Sequence, residues 1–580
     1  MTTTEPRFSD NALQVLRDRY LHRDETGVLV ETPTGMLERV ARAVAEPARL
    51  FGEDSDFWEA RFYERMHRLE FLPNSPTLMN AGLPAGQLAA CFVLPVEDDL
   101  DSIFTTLAHT ARIHQTGGGT GFSFSALRPA QDCVHSTGGM SSGPISFMEL
   151  FDHTTAVIRQ GGRRRGANMA VLRVDHPDIE AFIDAKRTPG HLENFNLSVG
   201  VTDEFFAALD ARTPFALRNP RTGRVTRTVN SEDLFERIVD TAWSVGDPGL
   251  LFLDEINRHN PTPALGSIEA TNPCGEQPLL PYESCTLGSI NLALFTSGMN
   301  IDWPKLKSAV RDAVVFLDNV IEANCYPLPE IETATRRTRK IGLGIMGFAE
   351  LLAQIGVAYD SETGIEVGGK IAAFLRNEAR AASSELGKRR GSFPAFRGSV
   401  LVKPGLLGLR NASITCIAPT GTISMIAGTS SGIEPFFALA MVRRILDGRT
   451  FAEINPLLET ELARLGAAGE TALDAVRHHG SLQRIKNIPE RLRVRFPIAL
   501  EIAPCWHVRM QAAFQAHVDA AVAKTVNLAH DVPSSAVREV FNLARQLHLK
   551  GITVYRYGSR AGQTLSLVED ARADCRDCAV

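Results

Sequence analysis

From Phe71 onward, short apolar runs alternate with stretches of helical period, and this alternation limits the fold more than any other feature of the 580 residues. Runs such as Cys91 to Leu94, Met169 to Leu172 and Leu250 to Leu253 are apolar throughout. A strand apolar on both faces is buried on both faces, as in a parallel sheet covered by helices. Between such runs lie helical patterns, including Ile145 to Ile158 and Ile179 to Ala185. The expected fold class is therefore α/β with a largely parallel, buried sheet. The pattern returns around 410 to 440 and 548 to 558, with Gly and Thr turns. Neither a fixed-period repeat nor a Pro- or Ser-rich linker interrupts 70–560, so one large domain is expected there rather than several small ones. Ahead of it, Leu13, Leu16 and Tyr20, then Leu37, Val40 and Val44, then Phe57, Trp58, Phe62, Met66 and Leu69 recur at helical spacing. They predict a helical N-terminal domain over 1–68.

Charge and composition narrow the function. There are 61 Lys+Arg against 67 Asp+Glu, a formal charge of −6. That balance argues against a non-specific nucleic-acid or anionic-membrane binder, which needs a basic stripe. No run approaches the roughly 18 to 20 apolar residues of a spanning helix, and no apolar stretch follows Met1, so a cytoplasmic protein is expected. Nine cysteines in such a chain are too few and too odd in number for a disulfide scaffold. Which of them carry chemistry becomes the deciding question.

The strongest local feature is Asn272-Pro-Cys-Gly-Glu276, followed by Cys285-Thr-Leu-Gly-Ser-Ile-Asn-Leu292. Pro273 and Gly275 flank Cys274 and predict a turn, with an amide and a carboxylate two residues to either side. By itself this is equally a small buried hydrophobe in a turn. Near the C-terminus, Cys575 and Cys578 form a C-x-x-C pair that suits disulfide exchange or half a zinc site. No second pair completes a zinc site, which favours the redox reading.

Several glycine-rich segments suggest backbone approach to a ligand. Pro419-Thr-Gly-Thr-Ile-Ser424 is dense in hydroxyls and amides, as an anion nest is, and equally resembles a polar turn. Gly117 to Gly121 and Ser136 to Gly143 are similar. Gly161-Gly-Arg-Arg-Arg-Gly-Ala-Asn168 is triply cationic, fit to meet polyphosphate or simply to be solvated. Gly342-Leu-Gly-Ile-Met-Gly347 matches the dinucleotide fingerprint and keeps an NAD(P)-dependent oxidoreductase as an outside alternative. Against it stands the basic run Thr335 to Lys340, where a buried strand is required.

In their order along the chain these segments resemble ribonucleotide reductase large subunits, most closely the adenosylcobalamin-dependent class II enzymes. The pieces are Phe71 to Gly82, Ala90 to Leu94, Gly117 to Ser125, Gly161 to Leu172, Asn272 to Leu292, Ala418 to Pro435 and Lys550 to Arg560. The resemblance implies a ten-stranded α/β barrel over 69–560 with a central finger loop, and a C-terminal redox tail over 561–580, which is expected to be mobile. It implies that Cys274 is the thiyl-radical residue, that Glu276 accepts the 3′-hydroxyl proton, and that Asn272 holds that oxygen. Cys91 and Cys285 would supply the reducing electrons, restored through Cys575 and Cys578 by a thioredoxin- or glutaredoxin-like protein.

Implied substrate contacts are Ser75, Ala90, Cys91, Gly118, Gly119 and the nest Pro419, Thr420, Gly421, Thr422, Ile423 and Ser424. The segments Arg128 to Met140 and Gly161 to Asn168 resemble specificity loops that bind a deoxynucleoside triphosphate effector, with Arg128, Gly161, Arg163, Arg164, Arg165 and Asn168 as candidates. The helix between them implies a homodimer. The substrate implied is a ribonucleoside diphosphate. The family's class I members receive their radical from a partner subunit through adjacent tyrosines, and remain an alternative. Here Tyr555 and Tyr557 are separated by Arg556, which favours adenosylcobalamin as a local source. Cys133, Cys325, Cys416 and Cys505 match no role and are expected to be packing residues.

Overall fold

The computed structural model describes residues 8–84, 86–134, 138–160, 164–403, 408–445, 449–483, 485–560 and 565–567, with backbone alone at 159–160, 164–165, 443–445, 449–452 and 565–567. Five strands pair side by side in parallel: β1 (Cys91–Leu94), β2 (Gly119–Ser123), β3 (Asn168–Arg173), β4 (Phe195–Val201) and β5 (Gly249–Phe252). A second parallel set runs β6 (Ser284–Asn291), β7 (Ile341–Met346), the segment 413–417, β8 (Thr525–Leu528) and β9 (Gly551–Arg556). The segment joins this set through isolated bridges, Leu343 to Thr415 and Ile417 to Val522. Two antiparallel seams close the ring, β1 against β6 and β5 against β9. The result is an α/β barrel of ten staves, as the motif order implied.

Helices cover the outside because the staves are apolar on both faces. Every residue of β1, β5, β6 and β7 is buried. The expected helices are present at Pro144–Val157 and Ile179–Asp184, each within a residue of the pattern that predicted it. In the N-terminal region the helices Pro33–Ala45 and Ser55–His67 bury Leu37, Val40, Val44, Phe62 and Met66. Phe57 departs from the pattern and is 55% exposed. Phe62 meets Phe316 of the helix Trp303–Ala323 edge to face, ring centroids 5.0 Å apart.

A buried charge cluster joins these layers. Asp318, fully buried, accepts from Arg339 at 2.7 Å, Arg390 at 3.0 Å and Arg410 at 3.2 Å, and Arg390 reaches on to Glu53 at 2.6 Å. Its three arginines hold the Asp318 carboxyl below the usual range although burial opposes this. Removing one partner from such a cluster leaves an uncompensated buried charge, which costs about 3–5 kcal/mol.

The basic run ending at Lys340 closes on buried partners, Arg339 with Asp318 and Lys340 with Glu283 at 2.6 Å. The Gly342 to Gly347 fingerprint is not a phosphate loop. Its first five residues lie inside stave β7, preceded by the helix Pro329–Thr338 rather than by a strand. The glycines serve packing: a Cβ at Gly344 would come within 2.5 Å of the Cys416 carbonyl oxygen. This removes the dinucleotide reading.

Candidate active site

The barrel interior is occupied by a short hairpin. Ala270–Thr271 pairs antiparallel with Pro278–Leu279, and residues 272–277 form its tip. The sequence dictates the turn. Asn272 folds back on the loop, its backbone N–H donating to the Gln277 carbonyl at 3.2 Å and its Oδ1 accepting from the Gln277 N–H at 3.0 Å. Gly275 sits at φ +85°, a conformation that L side chains rarely adopt. Glycines in β2 let the hairpin pass inside: a Cβ at Gly121 would lie 1.7 Å from the Thr271 carbonyl oxygen, and one at Gly119 would lie 2.9 Å from Pro273 Cγ.

Cys274 stands exposed at the tip and lines two cavities, one on either side of the loop. The smaller, about 310 Å³, is walled by Ser75, Ala90, Cys91, Gly118, Gly119, Asn272, Glu276 and the run Pro419 to Ile423. Cys91 is directly opposite Cys285 across the antiparallel seam, so the two side chains share a face. Both are free thiols. Burial pushes both well above the usual thiol range, reinforced at Cys91 by the Glu276 carboxylate and at Cys285 by Cys416. Asn272 Nδ2 donates to Cys91 Sγ at 3.1 Å, and the Cys91 thiol points at Glu276 Oε1, 3.9 Å away. The Cys274 and Cys91 thiols and the Glu276 carboxylate therefore line one small cavity, with Cys285 opposite Cys91 on the neighbouring stave.

The larger cavity, about 510 Å³, lies beyond the loop. Gly246, Gly249, Gly275 and Gly551 leave backbone bare on its wall, and Asn196, Gln511 and Asn527 add amides. Lys524 donates to Glu434 at 2.5 Å on the same wall. Glycine backbone and amides among apolar side chains leave room for part of a large cofactor, and no histidine lines this cavity. Sequence reasoning did not find Asn196, Gln511, Lys524 or Asn527. Nothing local marks them, because they meet only when distant staves close. Glu434 lay within the quoted segment Ala418 to Pro435 but was given no role.

Other expectations change in detail. Asn272 is engaged with Cys91 and Gln277, so holding a substrate oxygen requires it to exchange a partner. Ser75 Oγ shares a 2.7 Å hydrogen bond with the Tyr20 hydroxyl. Ala90 is buried and its backbone pairs with Cys285 and Gly119. Gly118 is there for packing, since a Cβ would meet Phe92 Cε2 at 2.5 Å. In the nest, Ser424 does not line the cavity: it is fully buried, its N–H donating to the Thr420 carbonyl and its hydroxyl 3.0 Å from Ser431 Oγ. Thr420 adopts φ +54° and its hydroxyl accepts from the Gly432 N–H at 2.8 Å, which fixes the turn.

At the suggested specificity loops, Arg128 is committed to Asp98 at 2.9 Å. Asn168 is corrected from loop to stave: it opens β3, is fully buried, accepts from Thr120 at 2.7 Å and donates to Thr155 at 2.8 Å. Gly161 and Arg163 lie outside the described residues, and of Arg164 and Arg165 only the backbone is described, in a short strand paired with 159–160. Cys575 and Cys578 also lie outside them. Cys416 is buried as expected of a packing residue, whereas Cys133, Cys325 and Cys505 are exposed and are not. Among the described residues no group of His, Cys, Asp and Glu is arranged to hold a metal ion, and no helix is long and apolar enough to cross a membrane.

Comparison with known proteins decides the family. Residues 89–406 and 405–555 match the family model of the ribonucleotide reductase barrel domain, and residues 6–86 match that of its all-alpha domain. The chain belongs to the ribonucleotide reductase large-subunit family. Over 564 residues it is 50% identical to the vitamin B12-dependent ribonucleoside-diphosphate reductase of Mycobacterium tuberculosis (strain CDC 1551 / Oshkosh), covering 97% of this chain and 81% of that protein. Over 614 residues it is 47% identical to the enzyme of the same name from Thermoplasma acidophilum, covering 96% and 80%. Among solved structures, the Actinobacillus ureae class Id ribonucleotide reductase alpha subunit superposes with a TM-score of 0.78 at 24% identity, over 96% of this chain and 99% of that one. That similarity speaks for the reductase barrel as a fold.

Proposed function

We propose that the chain reduces ribonucleoside diphosphates to 2′-deoxyribonucleoside diphosphates for DNA synthesis, by a thiyl-radical route with adenosylcobalamin as cofactor. The observation that carries this reading is the position of Cys274 between two cavities, one of which is also lined by Cys91, whose partner across the antiparallel seam is Cys285. The wide cavity would take the cofactor, with Gln511 and Asn527 offering amides and Gly246, Gly249 and Gly551 leaving room between side chains. Held there, adenosylcobalamin would supply a radical by homolysis of its cobalt–carbon bond.

The protein's own groups account for the remaining steps. The Cys274 thiyl takes the 3′ hydrogen from the ribose, and Glu276 accepts the 3′-hydroxyl proton. A thiol of the Cys91 and Cys285 pair protonates the departing 2′-hydroxyl, which leaves as water. Raised thiol pKa values favour this, because a proton donor must still hold its proton at neutral pH. The pair supplies two electrons and closes a disulfide, and Cys274 returns the hydrogen to the 3′ carbon. One diphosphate and two thiols thus yield one deoxynucleotide, one disulfide and one water.

Cys575 and Cys578, recharged by a thioredoxin- or glutaredoxin-like protein, return the disulfide to thiols by exchange. The nest from Pro419 to Ile423 takes the diphosphate on its backbone amides. Deoxynucleoside triphosphates bind the loops 128–140 and 161–167 across a homodimer and select the base.

An anaerobic assay with a ribonucleoside diphosphate and a dithiol, with and without adenosylcobalamin, tests the reading. Deoxynucleotide forms only with the cobalamin, and Cys274→Ala abolishes it. Turnover without cobalamin, or by the Cys274→Ala chain, contradicts the proposal.

A further inference from the structure

Asn196 is the exposed residue of an otherwise buried stave, β4, and it faces the wide cavity. Its Nδ2 donates to the Pro273 carbonyl at 2.8 Å. That carbonyl belongs to the planar peptide whose nitrogen is Cys274's own, so holding the oxygen orients the backbone that enters Cys274. From β2, Gly119 packs so tightly under the Pro273 ring that a Cβ would lie 2.9 Å from Cγ. Pro273 is therefore gripped by two staves, β2 and β4, that flank β3. On the other side of Cys274 the hold is backbone only, Gly275 N–H donating to the Asn272 carbonyl at 3.0 Å and Ala521 N–H to the Glu276 carbonyl at 2.9 Å, while a Cβ on Gly275 would meet nothing within 4 Å. On the Pro273 side Asn196 is the polar half of the grip, and it is a side-chain contact that substitution can remove.

We propose that Asn196 is a positioning residue for Cys274, its amide holding the Pro273 carbonyl so that the thiol stays at the junction of the two cavities. The inference rests on the reductase reading for its effect on catalysis, but not for its effect on the loop. A hydrogen bond made from the cavity wall also places the grip where cofactor binding excludes water, which strengthens it. Misplacing a reacting atom by an ångström costs on the order of 100-fold in rate.

Asn196→Asp keeps the shape and removes the donor, and Asn196→Ala removes both. In the full-length chain, reduction of a ribonucleoside diphosphate with adenosylcobalamin falls roughly 100-fold in the aspartate variant and at least tenfold in the alanine variant. The KM for the nucleotide stays within about twofold of wild type, since Asn196 does not line the narrow cavity. As pH falls toward the carboxyl range, the aspartate variant regains a donor and its rate recovers relative to the alanine variant. The other ionisable groups of the wall, Asp247, Glu434, Lys524, Tyr555 and Arg560, are common to both variants and cancel from that ratio.

Without any cofactor, alkylation of Cys274 by iodoacetamide, read by peptide mass mapping, accelerates about fivefold in both variants, as loss of one hydrogen bond predicts. Wild-type turnover in Asn196→Asp, or a raised KM with unchanged kcat, overturns the role. If the wild-type chain makes no deoxynucleotide, the reductase reading fails instead, and the alkylation rates alone decide: acceleration upholds the grip and unchanged rates overturn it.

Discussion

The two cavities that meet at Cys274 are built on opposite plans. The narrow one is an arrangement of buried, hydrogen-bonded groups, in which Cys91 meets both Asn272 and Glu276. The wide one mixes glycine backbone and amides with larger side chains such as Phe437 and Tyr555, and carries two ion pairs, Lys524 with Glu434 and Arg560 with Asp247. A site that must time proton and electron transfers needs fixed donors and protonated thiols. A site that must admit a large molecule needs gaps between its side chains. Each plan follows from the chemistry assigned to its side, and the hairpin 270–279 is the wall they share.

That comparison breaks most readily at the shared wall. Gly121→Ala drives a methyl group into the Thr271 carbonyl, so the hairpin must move. The expected loss is about 1–3 kcal/mol in unfolding free energy, seen as a lowered Tm. Binding on both sides of the loop should weaken together. Loss on one side alone would show that the cavities do not share a wall.

A smaller effect belongs to the narrow side only. Burial and neighbouring groups raise the Cys91 and Cys285 pKa values above the ordinary 9.0. The folded thiols hold protons at pH values where the unfolded chain releases them, so the stability they contribute is intact below about 9 and falls as pH rises through the shifted values. Denaturant titrations from pH 7 to 10.5 should show that decline in the wild-type chain and less of it in Cys285→Ser. An equal slope in both would remove Cys285 from the account.

The narrow cavity was largely legible in the sequence and the wide one was not. Cys91, Cys274, Glu276 and Cys285 lie in short segments whose order along the chain carries the family resemblance. The wide wall is assembled from Asn196, Gly249, Gln511 and Gly551, contributed by separate elements, and only closure of the barrel puts them side by side. The segment 413–417 shows the same limit in the fold: its β-branched run marks it as extended, but that it completes the ring through isolated bridges to Leu343 and Val522 is not readable locally. Where the reading went wrong, it took segment boundaries for function. Asn168 is the first residue of a stave rather than the last of a loop, and Ser424 lies beneath the nest rather than in it.

The central claim is that Cys91 and Cys285 are the reductant and Cys274 the group that makes them so. In a chain carrying Cys575→Ser and Cys578→Ser, which has no tail dithiol to exchange, supplied with adenosylcobalamin and one ribonucleoside diphosphate but no external dithiol, the Cys91 to Cys285 disulfide can be quantified by peptide mass mapping beside the deoxynucleotide formed. The account predicts equal amounts of disulfide and product in that chain, and neither when Cys274→Ala is added. Deoxynucleotide formed while Cys91 and Cys285 remain thiols would contradict it.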